Sequence, residues 1–383
     1  MHTLSFWERK AYFENVDVTI VGGGLVGLST GISLLEKNQN LRVLILERHS
    51  IPHGASTKNA GFACFGSPSE LLDDLKGRPA SEVFSLFSQR YRGIQKLIER
   101  TNKSQIDYHP DGGYELLLKN TEFESISQET LDILNSGIEN VTGLKDYFYF
   151  RDDLVEKFGL KGFEGIICNA YEASIDPVKT LNCLHEIYRS MGGHILYGMN
   201  VKKWNESEQL VEIQLAEGVD FYCRQMIFCV NGFAKQYFSE LAVQAARNSV
   251  LILKPSKPLL LKGCFHVDRG YIYFRNIDGN LLIGGGRNWD PEKEYTTEFQ
   301  INPLIESQLL QFAENHIFQN TNYIYIQNWT GIMGLGSVKS PIIKMISDHI
   351  GVAVRLGGMG VALASLVGEE AAIMLLEPKN PLK

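Results

Sequence analysis

The apolar positions of this chain alternate between short continuous runs and helix-spaced stripes. Val18 to Val21 is a β-branched run between Asp17 and Gly22, the pattern of a strand buried on both faces. "LVGLSTGISLLE" follows at once as a helix, and "NQNLRVLILE" supplies the next strand, ending in Glu47. Asp176 before Pro177 is an N-cap with proline at the first helical position, and it opens an amphipathic helix that closes at Gly192 and Gly193. "HILYGMNVKKW" and "VEIQLAEGVDFYCRQMIFCVNG" then read as strands with hairpin punctuation. In "GYIYFRNIDGNLLIGGGRNWDPE", Tyr271 and Tyr273 share one strand face and Phe274 takes the other. The Asp278–Gly279 turn leads to a strand that delivers Gly284 to Gly286, Arg287 and Trp289. Near the C-terminus, "HIGVAVRLGGMGVALASLVGEEAAIML" reads as strand, glycine loop and helix.

At 383 residues the chain exceeds the size at which one core stops growing, so two domains are expected. Its 44% hydrophobic and 21% charged content, without low-complexity tracts or a solenoid period, argues against extensive disorder. A formal net charge of −7 offers no basic field to nucleic acid or an anionic membrane, so the expected partner is a small molecule. The N-terminal segment scatters its charges and lacks the apolar region of a signal peptide. Arg355, Glu369 and Glu370 interrupt the apolar C-terminal stretch, which therefore reads as core and not as a membrane span. Six cysteines form no CxxC pair and have no histidine at metal spacing, so neither a metal site nor a disulfide framework is expected, and a reducing cytoplasm fits.

Gly22, Gly24 and Gly27 form GxGxxG between the first strand and its helix. The first glycine permits the tight turn, the second lets a pyrophosphate approach the backbone, and the third lets helix and strand pack closely, with Leu25 and Val26 between them. The phosphates of a dinucleotide then rest on the helix N-terminus. Glu47, twenty residues beyond Gly27, is placed to accept hydrogen bonds from both ribose hydroxyls, and Arg48 follows it. This unit serves NAD and FAD equally. Two later segments suit a long, extended flavin dinucleotide. One is the small, polar loop after the second strand, with Ser56, Thr57, Lys58, Asn59, Ala60 and Gly61. The other is the C-terminal turn of Gly357, Gly358, Met359, Gly360 and Val361, whose helix aims its positive end at the ring.

These segments, with "EASIDPVKTLNCLHEIYRSMGGHI", "FCVNGF" and "YIYFRNIDGNLLIGGGRNWDP", resemble the FAD-dependent oxidoreductases of the D-amino-acid oxidase family, which include glycine, sarcosine and γ-glutamylputrescine oxidases. The resemblance implies an α/β fold with an α+β second domain. A Rossmann-like FAD-binding domain of glutathione-reductase type would be assembled from residues 15–70, 160–240 and 330–383, and an antiparallel-sheet substrate domain from 71–159 and 241–329. It also implies that Val201 meets the adenine through its backbone, that Asn231 and Gly232 lie near the pyrophosphate, and that Gly331 belongs to the cofactor site. FAD would be held non-covalently: sarcosine oxidases tether theirs through a C-terminal cysteine, and this chain has none after Cys264.

The implied reaction is hydride transfer from the carbon beside an amine to flavin, with oxygen or another carrier as the final acceptor. Tyr273, Arg275 and Arg287 are the candidate catalytic residues. Amino-acid oxidases of this family carry a Gly-Leu-Arg-Pro segment whose arginine clamps the substrate carboxylate, whereas this chain places Met333 there. The expected substrate is therefore an amine without an α-carboxylate, unless Arg287, Arg275 or Lys339 supplies the clamp. The rival readings are an NAD-dependent dehydrogenase, which would share the first fifty or so residues, and a flavin-binding module without turnover.

Overall fold

Two eight-stranded sheets organise the protein, whose computed structural model describes residues 4–119, 126–319 and 321–377. The centre of the first sheet is parallel, in the order Ile350–Val354, Asp220–Phe228, Val16–Val21, Val43–Glu47, His194–Tyr197. Ile342–Met345 closes one edge antiparallel, and Val201–Glu206 with Val211–Leu215 forms a meander on Asp220–Phe228. These strands are apolar on both faces because both are covered. Ile20, Ile45, Ile227 and Ala353 pack under helices, while Val21, Leu46, Phe228 and Val354 pack into the layer behind. The helices Leu25–Lys37, Pro177–Ser190 and Gly360–Leu376 supply the first cover, and Asp176 caps the second of them by accepting from Val178 and Lys179 N–H.

The second sheet runs Tyr323–Leu335, Gln244–Pro255, Asn280–Gly285, Ile272–Ile277, Cys264–Val267, Gly113–Leu118, Phe163–Asn169, Tyr149–Phe150. It is antiparallel except where Cys264–Val267 lies parallel to Gly113–Leu118. The hairpin at Asp278–Gly279 has both turn residues at positive φ, 50° and 79°, the twist that a two-residue connection requires. One face packs on the helix Pro303–Ala313 through Phe265, Phe274 and Phe312. The other face looks towards the first sheet's glycine loops.

Two segments sit apart from the expected partition. Phe163–Asn169 pairs with Gly113–Leu118 and so belongs to the second sheet, although residue 160 was the expected boundary. The helix Ala80–Arg100, expected in the substrate domain, packs Phe87, Ile94 and Leu97 into the core of the first sheet's helical layer. Its apolar stripe finds the C-terminal helix there. The N-terminal helix Phe6–Tyr12 buries none of its residues, so Phe6 and Trp7 project into solvent and do not pack on the body. Among the described residues no helix is long and apolar enough to cross a membrane.

The approach of Ala80–Arg100 to Gly360–Leu376 is set by Gly93, where a Cβ would lie 1.9 Å from the Ala362 carbonyl oxygen. Gly93→Ala is predicted to cost about 1–3 kcal/mol through overpacking. Gly77→Ala, at a helical site with nothing within 4 Å of the added carbon, is the control and is expected to be neutral or slightly stabilising. Urea unfolding of the two variants decides the matter, and equal midpoints would mean that the two helices can part without cost.

Candidate active site

Strand Val16–Val21 runs into a turn that suits glycine alone: Gly22 has φ 110°, and a Cβ on it would lie 2.8 Å from the Cys229 carbonyl oxygen. Helix Leu25–Lys37 begins in contact with that turn, since a Cβ on Gly27 would fall 1.9 Å from the Gly22 carbonyl oxygen. Its N-cap, Gly24, offers no side-chain cap, which leaves first-turn N–H groups for an anion. Leu25 N–H donates to Ser56 Oγ at 2.9 Å and so anchors the following loop. The buried Glu47 accepts from Gly23 N–H at 3.0 Å and from His49 N–H at 3.1 Å, and its remaining lone pairs can accept from hydroxyl groups. The Arg48 guanidinium lies over the Phe233 ring, 4.2 Å from its centroid.

A cavity of about 420 Å³ runs from this turn to the open face of the second sheet. All the cofactor contacts expected from the sequence lie on its wall except Gly27, Thr57, Gly61 and Gly232. Those four shape the wall from behind. Thr57 Oγ1 donates to the Pro52 carbonyl at 2.9 Å. Gly61, at φ 74°, leaves room for the Ile175 carbonyl, and Gly232 does so for that of Met333. Asn59 ties its own loop by accepting from Gly61 N–H. Asn231 Oδ1 accepts from Arg355 and Leu356 N–H, which joins the strand end at 230 to the C-terminal glycine loop. Helix Gly360–Leu376 then starts on the same wall, also without a side-chain cap.

At the far end, Tyr273 and Arg287 both reach the cavity. Asn248 Nδ2 donates to the Tyr273 hydroxyl oxygen at 2.8 Å, so the tyrosine's own proton is free to point elsewhere, and burial pushes its pKa up, which keeps that proton in place. Asn248 Oδ1 is buried without a partner among the described residues and awaits a donor from a ligand. Arg287 lies over the Tyr271 ring, 4.5 Å from its centroid, and makes no ion pair among the described residues. Arg48 and Lys58 also make no ion pair among the described residues, but three further cavity cations are compensated. Arg269 pairs with Asp268 and Asp73, Arg90 with Glu70, and Lys339 with Glu70 at 3.0 Å and Asp74 at 2.8 Å. Burial alone would raise the Glu70 carboxyl, but Arg90 and Lys339 outweigh it and hold its pKa at about 2.

Arg275 is a correction. It shares strand parity with Tyr273, yet it is buried and spends its guanidinium on the carbonyls of Ala60, at 2.9 Å, and Ile175, at 3.2 Å, so it braces the loop over the sheet and does not face the cavity. Sequence reasoning missed Asn248, His266 and Glu172. His266 lines the cavity, and its Nε2 meets Glu172 Oε2 at 3.3 Å. One heteroatom each of Cys64, Glu172 and His266 lies within 4.8 Å of the other two, a grouping that spacing along the chain did not disclose. The only sequence signal was a polar residue interrupting "CFHV".

An extended, largely apolar trough with two uncapped helix ends and a buried acid at one extremity suits a flavin dinucleotide, and the sequence model of the FAD dependent oxidoreductase family matches residues 17–374. The chain belongs to that family. It is 24% identical over 358 residues to L-2-hydroxyglutarate dehydrogenase of Escherichia coli strain K12, covering 86% of this chain and 75% of the relative. The mitochondrial L-2-hydroxyglutarate dehydrogenase of Dictyostelium discoideum is 30% identical over 164 residues, and that match spans only 37% of each chain. L-proline dehydrogenase from P. horikoshii has the same fold, with a TM-score of 0.74 at 14% identity and 96% of each chain covered. The protein is thus an FAD-dependent oxidoreductase, and the NAD reading falls.

Two N–H donors already converge on Glu47, so losing its carboxylate both loosens the glycine turn and removes charged acceptors from the cavity. Charge-assisted hydrogen bonds contribute roughly 1.5–3 kcal/mol, so Glu47→Ala is predicted to weaken FAD binding at least ~10-fold. The ratio of flavin to protein absorbance after purification measures this. Full flavin content and unchanged affinity would show that Glu47 takes no part in holding the cofactor.

Proposed function

We propose that this family member oxidises a small carboxylic acid bearing an α-hydroxyl group, by removing hydride from the α-carbon, and passes the electrons on to oxygen or another carrier. One observation carries the reading: Arg287, whose charge acts on Tyr273 at the far end of the cavity, has no carboxylate partner among the described residues, and its guanidinium lies 4.5 Å from the Tyr271 ring centroid. A guanidinium in that state suits a bidentate carboxylate, and it takes the place of the clamp that Met333 cannot provide. The exception attached to the carboxylate-free amine reading therefore applies, and through Arg287 instead of Arg275. Lys339 lines the cavity too, but its ammonium is committed to Glu70 and Asp74.

Bound FAD supplies the two-electron acceptor. The protein's own task is to fix the α-carbon and to exclude water. Arg287 binds the carboxylate, and the Tyr273 hydroxyl, kept protonated by burial and oriented by Asn248, donates a further hydrogen bond to it. The family relatives named for L-2-hydroxyglutarate support a hydroxyl at the oxidised carbon. The sequence segments shared with amine oxidases favour nitrogen there, which makes an α-amino acid the second reading. The six free, buried cysteines support a reducing, cytoplasmic setting.

Truncating one partner of a desolvated charge pair costs roughly 2–5 kcal/mol, so Arg287→Met is predicted to raise the half-saturating acid concentration at least ~30-fold. Anaerobic flavin bleaching with L-2-hydroxyglutarate, lactate, L-proline, sarcosine and putrescine reads the class directly. Bleaching by putrescine, with the four acids inert, would refute the carboxylate assignment, and bleaching by the two amino acids alone would move the heteroatom to nitrogen.

A further inference from the structure

His266 stands at the centre of a line of side chains that crosses the second sheet. Its strand neighbour on one side is Glu115, in parallel register, and on the other Tyr273, in antiparallel register. Residues directly opposite each other point to the same face, so all three look towards the cavity end of the site. Phe62 seals the imidazole from the loop side, with edge-to-face contacts to both His266 and Tyr273. The ring's Nε2 is taken by Glu172, which is 1% exposed and whose second oxygen accepts from Phe65 N–H at 3.0 Å. Nδ1 has no partner among the described residues, and the ring lines the cavity.

We propose that His266, oriented by Glu172, is the base that takes the proton of the substrate's α-hydroxyl group. The assignment rests on the α-hydroxy acid reading above. The O–H proton passes to Nδ1, the O–H electron pair becomes the second bond of the new carbonyl, and the α-hydrogen would leave with its pair as hydride, for which bound FAD would be the acceptor. The substrate thus loses two electrons and two hydrogens, one hydrogen to the imidazole and one to the flavin. The imidazolium that forms is balanced by the Glu172 carboxylate on its other nitrogen, the arrangement in which a buried base gains a proton at least electrostatic cost.

Every titratable group around the ring fits this role. Burial pushes the His266 pKa down, but the hydrogen bond and charge of Glu172, with smaller contributions from Cys264 and Glu115, raise it to about 8. Glu172 is itself pushed up by burial and pulled below its ordinary value by His266, so it stays ionised. Glu115, beyond hydrogen bonds from Ser67 and Ser69, is raised by burial. The Cys64 thiol is raised by burial and by the neighbouring Cys264 and Glu172, so it remains neutral, as does Tyr273. A raised histidine pKa means that the proton-accepting form accumulates only as the pH passes through about 8.

The test uses the FAD-loaded enzyme with L-2-hydroxyglutarate as the probe. In the wild type the anaerobic bleaching rate should rise with pH through about 8. In His266→Gln that rise should vanish and the plateau fall at least ~100-fold. Glu172→Gln removes the charge that raises the imidazole and should move the rise to lower pH, a shift that a merely structural role would not produce. Nitrogen NMR of the histidine-labelled holoenzyme, assigned by difference against His266→Gln, is expected to show a neutral form protonated on Nε2. The proposal is overturned if the pH rise survives in His266→Gln, or if the neutral ring carries its proton on Nδ1. Arg287→Met separates the two claims, because it should weaken probe binding and leave the pH profile in place. If neither hydroxy acid bleaches the wild type, the substrate reading fails, and the proton transfer fails with it unless a bleaching amino acid reproduces the same pH profile from its nitrogen.

Discussion

The close crossing of two helices holds the whole site together. Leu25–Lys37 and Gly360–Leu376 meet where a Cβ on Gly368 would lie 2.5 Å from the Ser29 Cβ and 2.6 Å from the Thr30 nitrogen. Only glycine allows that approach, and the approach brings two N-termini, one from each end of the chain, onto one cavity. Parallel strands Val16–Val21 and Ile350–Val354 flank Asp220–Phe228 beneath them, so the crossing is fixed from below as well. Gly93 then admits a third helix against the second, and the glycine loops at 22–24 and 357–360 become the floor under the antiparallel sheet.

The charges on the cavity wall divide by whether the protein has already used them. Glu70 gathers Arg90 and Lys339 and so joins the helices Pro68–Gly77 and Ala80–Arg100 to the segment after strand Tyr323–Leu335. Pairs buried in this way gain little net stability, because desolvation cancels most of the attraction, but they fix which elements meet. Arg287 stands outside that network. Its guanidinium lies over the Tyr271 ring, which orients it without neutralising it.

What was legible in the sequence was local. The strand, glycine turn, helix and terminal acid of residues 17–47 are specified by neighbours within one crossover, and the same holds for the hairpin at Asp278–Gly279 and the C-terminal glycine loop. What was illegible depended on pairings between distant segments. Asn248 becomes a site residue because its strand lies beside Asn280–Gly285, which brings it to Tyr273, and His266 does so through a parallel pairing with Glu115. Arg275 was misread for a related reason. Alternation along the strand puts it on the face of Tyr273, but nothing in the alternation shows that the carbonyls of Ala60 and Ile175 take up its guanidinium. Which layer the helix Ala80–Arg100 would meet was likewise not legible, because its partner, the C-terminal helix, lies at the other end of the chain.

The choice between oxygen and nitrogen at the oxidised carbon turns on protons more than on shape. A neutral amine gives up hydride without losing a proton first, so a site built for amines needs no base beside the α-carbon. A hydroxyl does need one, because its oxygen must shed a proton as the carbonyl forms. The histidine–glutamate pair beside Tyr273 is costly to bury and would be replaced by apolar side chains at little loss of stability. Its place on the cavity face, with one nitrogen engaged by a buried carboxylate and the other open, is accounted for by proton transfer better than by packing. The same pair explains why a methionine is tolerated at 333: with the carboxylate held from the sheet by Arg287, the strand carrying Met333 has only to supply apolar wall.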